Sequence, residues 1–415
     1  MLGLDRAVIE AVDSDEEVDA VVVSVRPRKG AQRRCGRCGR RSPWYDRGEG
    51  RRRWRSLDLG TSRVLLEADA PRVNCAVHGP TVIEVPWARH GAGHTRAFDD
   101  TVAWLALHTS KTAVTRLMRI AWRTVGSILA RVSADIDARV DRFEGLRRLA
   151  IDEISYKRHH RYLTVVIDHD TGRLVWASPG RDKATLDRFF EQLGPDRCAQ
   201  ITHVTADAAN WIAAAVTQWC PNAVRCADPF HVVAWGTDAL DEVRRQAWND
   251  ARGGRPQHVT DPRRVSRPRS GNQLKQARWA LWKNPERLTE RQHHQLAWIA
   301  GNNPKLWRAY RLKEGLRYVF AVKGDEGKAA LDRWLAWASR SRLRAFIELA
   351  ARIRRHRPAI DATLEHQLSN AIAESTNTKI RLITRVAFGF HGPDPLIALA
   401  LLAFGSHPPV LPGRT

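Results

Sequence analysis

Three acidic residues, far apart along the chain, have the type and setting that phosphodiester chemistry needs. Asp152 ends the apolar run Leu149–Ile151, Asp207 follows the apolar segment Ile201–Thr205 almost directly, and Glu374 lies in a polar segment near the C-terminus. Hydrolysis and transesterification of phosphodiesters use two divalent ions roughly 3.5–4 Å apart. Carboxylate oxygens suit Mg²⁺. We interpret Asp152 as a ligand of two Mg²⁺ ions, and Asp207 and Glu374 as ligands of one each.

Neighbouring residues leave part of this interpretation open. Glu153 follows Asp152 directly, and the alternation of side chains along a strand favours Asp152. Asp228 ends another short apolar segment and competes with Asp207. His231, three residues later, is either a helix cap or an active-site group.

The elements that would position these acids are predicted from residue 149 onward. Strands are predicted at Leu149–Ile154, Tyr162–Ile167, Arg173–Ala177, Ile201–Thr205 and Ala223–Cys226. Amphipathic helices follow the third and fourth strands. This order is typical of a ribonuclease-H-like core, an α/β fold in which Asp152 and Asp207 lie next to each other at the centre of the sheet.

A polar stripe is predicted on the helix that carries Glu374. Asn370, Glu374, Asn377 and Arg381 are spaced by four, three and four residues, so they share one helix face. We interpret this face as an active surface, with Asn377 and Arg381 as DNA contacts. Residues 236–368 are predicted to be a helical insertion whose tryptophans are mostly core. Its basic Gly253–Gly271 loop is predicted to contact DNA or to be disordered.

A second set of possible metal ligands lies near the N-terminus. Cys35-Gly36-Arg37-Cys38-Gly39 lets two thiolates reach one ion, and Cys75-Ala76-Val77-His78-Gly79 adds a thiolate and an imidazole. Together they predict a structural Zn²⁺ site in a zinc ribbon with a hairpin insert. A redox pair or incidental cysteines are the alternative.

Two further segments are candidates for DNA contact. Arg51, Arg53 and Trp54 combine arginines with an aromatic ring, which suits phosphate contact and stacking; a solvated basic face is the alternative. Residues 95–140 predict helices with a break near Ile120, as in a helix-turn-helix, and a plain helical bundle is the alternative. The exposed candidates at the start of its second helix are Arg123, Thr124 and Ser127. These residues lie at the N-terminal end of the second helix, which is the end that enters the major groove in a helix-turn-helix.

The charge balance points to the same class of partner. The chain of 415 residues carries a net charge of +23, which indicates a nucleic acid because a polyanion relieves the self-repulsion. Genomic bias can explain why arginine replaces lysine, but not the excess of base over acid. No apolar stretch approaches the roughly 18–20 residues of a membrane span. The acidic N-terminus lacks a signal-peptide layout, so we expect a cytosolic protein without a membrane partner.

The motifs in combination resemble those of the ISL-three family of bacterial insertion-sequence transposases. The resemblance extends from about Cys35 to Phe404. The motifs that carry it are Ile151-Asp152-Glu153, Val204-Thr205-x-Asp207, Asp228-Pro229-Phe230-His231-Val232 and Ser369-Asn370-x-x-x-Glu374-x-x-Asn377-x-x-Ile380-Arg381, together with the Cys35-x-x-Cys38 knuckle. His78 stands where a cysteine is frequent in the family, and Arg381 where a lysine is common.

The resemblance implies a modular DDE transposase with Asp152, Asp207 and Glu374 as its triad. We expect a zinc-binding domain at 1–90, a helix-turn-helix at 91–145, a catalytic domain formed by 146–235 and 369–405, and the helical insertion at 236–368. Such enzymes bind terminal inverted repeats and target DNA, cleave and join with Mg²⁺, and act as at least a homodimer on DNA. A non-catalytic regulator derived from a transposase and a ribonuclease-H-like nuclease are the alternatives.

Overall fold

The computed structural model describes residues 6–29, 32–157, 161–253, 274, 276–387, 389–390 and 392–414. Of the predicted basic loop, only the first residue, Gly253, is described; residues 254–271 lie outside the described residues. The helices that the model describes include none that is long and apolar enough to cross a membrane.

Two small sheets form the N-terminal module. Its strands are β1 (Ala7–Asp15), β2 (Ala20–Pro27), β3 (Trp44–Asp46), β4 (Arg51–Arg55), β5 (Arg63–Asp69), β6 (Arg72–Cys75) and β7 (Gly79–Val82). One sheet has the order β1-β2-β5-β4 and the other the order β3-β6-β7. The apolar run Val18–Val25 predicts a single strand in this region, which corresponds to β2, and the sequence carries no signal for β1. Most of β1 is exposed, so it lacks the alternation of apolar and polar residues that marks a half-buried strand.

Three helices follow this module. They are α1 (Arg96–His108), α2 (Lys111–Met118) and α3 (Trp122–Asp137). The side chains of Thr95 and Ser110 cap the first two by accepting backbone N–H bonds. Arg119 ends α2 with a left-handed backbone, φ +52°, and the chain turns at once into α3. The predicted pair of helices with a brief break near Ile120 is therefore present.

The central α/β unit contains a five-stranded mixed sheet. Its elements are β8 (Arg148–Lys157), β9 (Arg161–Asp168), β10 (Leu174–Pro179), α4 (Lys183–Leu193), α5 (Pro195–Cys198), β11 (His203–Ala206), α6 (Asn210–Trp219) and β12 (Val224–Ala227). The strand order is β10-β9-β8-β11-β12, with β8, β11 and β12 parallel and β9 antiparallel to both of its neighbours. The predicted strands and the two predicted helices are thus all observed, and β8 is the central strand.

Long helices complete the chain. They are α7 (Pro229–Gly253), α8 (Arg278–Trp282), α9 (Glu290–Asn302), α10 (Pro304–Val322), α11 (Gly324–Ser339), α12 (Arg344–Arg355), α13 (Arg357–His366), α14 (Ala371–Val386) and α15 (Pro393–Phe404). Helices α7 to α13 share one apolar core. In that core Trp334 is buried, whereas Trp279 and Trp337 are exposed. Helices α14 and α15 pack on the face of the sheet opposite α4 and α6.

Helix α15 also completes the core of the three-helix unit. Ala398, Leu399 and Leu402 belong to the same apolar cluster as residues of α1, α2 and α3. A Cβ at Gly126 of α3 would lie only 3.3 Å from the ring of Pro395, so the two helices approach closely there. This packing fixes the position of α3 relative to the central sheet.

A buried charge cluster joins the end of the N-terminal module to the helices. Arg89 is only 6% exposed, and its guanidinium group lies 3.6 Å from Asp99, 2.6 Å from Asp100 and 2.9 Å from Asp135. Asp99 is fully buried and also accepts two hydrogen bonds from Arg131. A charge network of this kind holds α1 and α3 against the preceding module.

Replacing Arg89 by alanine is expected to destabilise the N-terminal half by about 3–5 kcal/mol, because buried carboxylates lose their cation. Urea unfolding followed by tryptophan fluorescence would measure the loss. Arg139→Ala is the matched control: Arg139 contacts the same Asp135 at 3.1 Å but is exposed. Such an ion pair contributes about 0–1 kcal/mol. An equal loss in the free energy of unfolding of both variants would contradict the prediction that the buried ion pairs of Arg89 stabilise the protein more than the exposed ion pair of Arg139.

Candidate active site and zinc site

Four side chains of the N-terminal module converge on one point. The Sγ of Cys35 lies 3.6 Å from Nδ1 of His78, and the Sγ of Cys75 lies 3.7 Å from that nitrogen and 3.7 Å from the Sγ of Cys38. A tetrahedral Zn²⁺ with Zn–S bonds of about 2.3 Å places its sulfur ligands about 3.8 Å apart. The spacing of these ligand atoms therefore fits zinc, as predicted.

The backbone around the ligands explains the glycines of both knuckles. Gly39 and Gly79 have φ angles of +67° and +65°, which favour glycine. A Cβ at Gly36 would lie 2.6 Å from the carbonyl oxygen of Val82. Backbone hydrogen bonds from the residues after Cys75 lower the pKa of its thiol to about 6, which favours the thiolate that a metal requires.

Trp54 does not have the exposed position that DNA contact requires, so its predicted role is corrected. It is 1% exposed and packs edge-on against Trp87, with ring centroids 5.5 Å apart. Strand alternation puts Arg51 and Arg53 on the opposite, outer face of β4. There they pair with Glu67 at 3.4 and 3.1 Å and remain partly exposed, so both stay candidates for DNA contact.

The start of α3 presents the residues predicted for the major groove. Arg123 and Ser127 are exposed and Thr124 is partly exposed, while Val125 and Ile128 face the core. The start of α3 is therefore exposed, and its contact with DNA stays a prediction.

The first predicted acid lies at the centre of the sheet. Asp152 projects from β8, and its Oδ2 accepts a 2.8 Å hydrogen bond from the side-chain amide of Asn377 on α14. Its Oδ1 accepts the backbone N–H of Glu153. Burial is the main cause that raises the pKa of Asp152 to about 6; the N–H of Glu153 and the charge of His231 oppose the rise, and the carboxylates of Glu153 and Asp228 add to it. Glu153 is engaged elsewhere, in an ion pair with Arg181 at 3.1 Å.

The second acid directly follows the neighbouring strand. Ala206 of β11 pairs with Ile151 of β8, so Asp207 and Asp152 occupy corresponding positions on adjacent parallel strands. His231 lies beside them: its Nε2 is 3.8 Å from Asp207, and its Nδ1 is 2.7 Å from Asp228. The hydrogen bond to Asp228 raises the pKa of His231 to about 9, with Asp207 and Asp152 adding to the effect, so the imidazole carries a positive charge among the acids.

The third acid lies in the first turn of α14. Glu374 is partly exposed, and burial together with the charge of Asp228 raises its pKa, while His231 opposes the rise. Helix α14 packs on β8 and β9, which places this turn over the central strand. The structure thus brings all three predicted acids to one region of the sheet, around His231.

The donors in this region suit a hard divalent cation, although they are not gathered as tightly as the zinc ligands. Among the described residues, only Cys35, Cys38, Cys75 and His78 form a group of three or more His, Cys, Asp or Glu side chains whose ligand atoms all lie within 4.8 Å of one another. The acids offer oxygen ligands, which Mg²⁺ prefers. Burial is the main cause of the raised pKa values of Asp152 and Glu374, and a bound cation would favour their ionised forms.

Two asparagines that the sequence analysis assigned to an active face are buried instead. Asn370 is fully buried: it accepts a hydrogen bond from Thr205 at 3.1 Å and donates to the carbonyl oxygen of Ile151 at 3.2 Å. Its backbone N–H points to Asp228 at 3.4 Å. Asn377 is 2% exposed, so the structure contradicts its predicted contact with DNA. Both amides hold α14 against the strands, whereas Arg381 is exposed as predicted.

Replacing Asn377 by alanine is expected to lower the rate of DNA end cleavage by roughly 10–100-fold, the usual effect of losing a group that orients a metal ligand. The reason is that Asp152 loses its hydrogen-bond donor from α14. Single-turnover cleavage at several Mg²⁺ concentrations would measure the change. Ser375→Ala, at an exposed position of the same helix, is the control. An unchanged metal dependence in the Asn377 variant would contradict the positioning role.

Comparison with known proteins agrees with this combination of modules. A family model described as "Transposase", of the DDE type, matches residues 149–400. A model described as the helix-turn-helix domain of transposase family ISL3 matches residues 83–133, and one described as the zinc-finger of transposase IS204/IS1001/IS1096/IS1165 matches residues 31–78. The fold and the site therefore define a DDE-type transposase.

Whole-chain relatives extend this result. The chain is 65% identical over 430 aligned residues to the transposase for insertion sequence element IS1557 of two Mycobacterium tuberculosis strains, CDC 1551 / Oshkosh and H37Rv, covering 100% of this chain and 96% of each relative. It is 29% identical over 347 residues to the transposase for insertion sequence element IS1001 of Bordetella parapertussis, covering 83% and 82% of the two chains. The chain belongs to the ISL3 family of transposases.

Proposed function

We propose that this protein is the transposase of an insertion sequence element, which binds the element's terminal inverted repeats, cleaves its ends and joins them to target DNA. The observation that carries the proposal is the meeting of Asp152, Asp207 and Glu374 around the central strand, beside His231. The order of the five strands and the helices on both faces support a ribonuclease-H-like core. We further propose that the enzyme acts as at least a dimer on paired ends.

Asp152, Asp207 and Glu374 would hold the catalytic Mg²⁺ ions. Bound there, divalent ions activate the attacking oxygen and stabilise the leaving oxygen of the phosphodiester. The side chains of the protein bind and orient, so none of them has to act as the nucleophile. Asn377 fixes the rotamer of Asp152, and Asn370 ties the start of the Glu374 helix to β8 and β11.

The contacts of Asp207 and Asp228 favour Asp207 as the second ligand. Asp228 is 2% exposed, and its oxygens already accept hydrogen bonds from His231 and from backbone N–H groups. The side chain of Asp207 is 26% exposed and retains capacity for a further ligand. We infer that Asp228 orients His231 and that Asp207 binds metal.

A direct assay tests the proposed function. The purified protein, incubated with a duplex that carries the element's inverted repeat and flanking DNA, is expected to produce 3′-hydroxyl ends and joined products with Mg²⁺ and none with EDTA. Joining of ends that were cut beforehand separates a transposase from a nuclease. Binding without either reaction would instead support a regulator.

Replacing Arg123 by alanine is expected to weaken binding to the inverted repeat by about 1–3 kcal/mol, because the exposed start of α3 would lose a contact to a base or a phosphate. Gel-shift titrations at several salt concentrations would measure the loss. Arg344→Ala, an exposed arginine of the helical insertion, is the matched control. Equal affinities for all three proteins would contradict the assignment of α3 as the recognition helix.

A further inference from the structure

An exposed aromatic side chain stands beside the acidic site. Phe230 is 63% exposed, and its ring centroid lies 5.9 Å from that of His231, with the two ring planes at 90°. His231 in turn contacts Asp207 and Asp228. One side chain, that of His231, therefore separates the ring of Phe230 from the two acids, and a DNA strand bound at the acids would pass close to the ring.

The local structure directs this ring away from the protein core. Helix α7 buries Val232, Trp235 and Leu240 on one face. Phe230 precedes Val232 by two residues, which is about 200° around a helix of 3.6 residues per turn, so it lies on the opposite face. Pro229 begins the helix, and the N–H of Phe230 points to Asp228 at 3.4 Å. The ring of Phe230 thus points towards solvent from the first turn of α7.

Among the described residues, Phe230 has no buried packing site that would account for a phenylalanine at this position. Single exposed apolar residues are normal on a protein surface. Here, however, neighbours of Phe230 are polar: its ring contacts that of His231, its backbone N–H points to Asp228, and His231 contacts Asp207 and Asp228. An aromatic face stacks on any of the four bases, whereas the acids beside it repel the phosphate backbone unless cations are present. A base is therefore the part of DNA that this ring fits.

We propose that Phe230 stacks on a base next to the scissile phosphate, and that this base leaves the duplex stack to reach the ring. The inference rests on the proposed function, because it requires DNA at the three acids. Phe230 is then a positioning residue: it holds the strand so that the phosphate stays at Asp152 and Asp207. Bases inside an intact duplex are covered on both faces, so the contact requires a locally opened strand.

Cleavage kinetics test the stacking contact. On a fully paired inverted-repeat duplex, Phe230→Ala is expected to cleave roughly 5–150-fold more slowly, the factor that a base–aromatic stacking energy of about 1–3 kcal/mol corresponds to. Phe230→Trp keeps an aromatic face and should retain most of the rate. Tyr318→Ala removes a comparably exposed aromatic from α10 and should leave the rate unchanged.

A second readout separates stacking from a structural defect. Mismatches that pre-open the base pairs beside the cleavage point should restore much of the rate of Phe230→Ala and hardly change that of the wild type. In an Asp152→Asn background, which is expected to bind DNA without cutting it, 2-aminopurine at the flanking position should become more fluorescent on binding, and this rise should be lost when Phe230 is also alanine.

The outcomes separate the two proposals. A Phe230→Ala enzyme that cuts paired DNA at the wild-type rate, or that gains nothing from mismatches, overturns the stacking inference and leaves the function intact. Cleavage by Asp152→Asn at the wild-type rate would overturn the proposed function itself.

Discussion

Replacing Asp152 by asparagine is expected to reduce end cleavage and strand transfer by at least roughly a thousandfold, the factor for about 4 kcal/mol of lost transition-state stabilisation. The amide keeps the size of the side chain but loses the charge that would bind two ions. The same reasoning applies to Asp207→Asn and Glu374→Gln. Single-turnover cleavage of an inverted-repeat duplex with Mg²⁺ would measure each loss.

The Asp152→Asn variant is expected to fold. The raised pKa of Asp152 means that its ionised form destabilises the folded protein, so at neutral pH a neutral amide removes an unfavourable charge. Asp170→Asn is the matched control, since Asp170 lies in a turn after β9 and pairs with Arg148 instead. If the three variants cut DNA as fast as the control, the assignment of the triad is wrong.

Replacing Cys35 by serine is expected to abolish zinc binding and to unfold the N-terminal module. Cys35 is fully buried and lies 3.6 Å from His78, so the ligand set cannot close without it. Structural zinc contributes an apparent binding energy of about 10–16 kcal/mol in small zinc-finger peptides, which is as large as the whole stability of an ordinary domain, about 5–15 kcal/mol. Elemental analysis would report the loss of zinc, and limited proteolysis would report the loss of the fold.

A neighbouring position provides the control for this experiment. Val77 lies between the two ligands of the second knuckle and is 60% exposed. Val77→Ser should therefore keep both zinc and fold. Chelation of zinc from the wild-type protein should make the N-terminal module as sensitive to proteolysis as it is in Cys35→Ser. A wild-type protein that contains no zinc and resists proteolysis would contradict the role of the metal.

The sequence predicts those elements whose periodicity reflects burial on one face. The strands from β8 to β12 and the turn between α2 and α3 follow apolar patterns, so their order was predictable. Strand β1 has no such pattern because most of it faces solvent. Trp54 shows the opposite error: arginines on both sides suggested a surface, but alternation along β4 turns the ring inward.

The arrangement of the acidic site was predictable only in part. Asp152 and Asp207 are predictable because they follow apolar segments, and Glu374 because it lies in a polar helix stripe. The choice between Asp207 and Asp228 depends instead on contacts between distant elements. Helical spacing correctly predicts that Asn370 and Asn377 share a face with Glu374. It does not reveal what that face contacts, and in the structure both amides are buried. The sequence places Phe230 within a motif, but its exposure depends on the tertiary fold and is not predictable from the motif.

The most direct test of the central claim is to map where the divalent metal binds. When Fe²⁺ replaces Mg²⁺ in the complex with inverted-repeat DNA, and hydrogen peroxide and ascorbate are added, hydroxyl radicals formed at the metal cut the nearby protein backbone. Fragments ending near Asp152, Asp207 and Glu374 are expected, and both excess Mg²⁺ and the Asp152→Asn substitution should suppress them. Fragments that arise only elsewhere, or that persist unchanged in Asp152→Asn, would contradict a metal centre formed by these three acids.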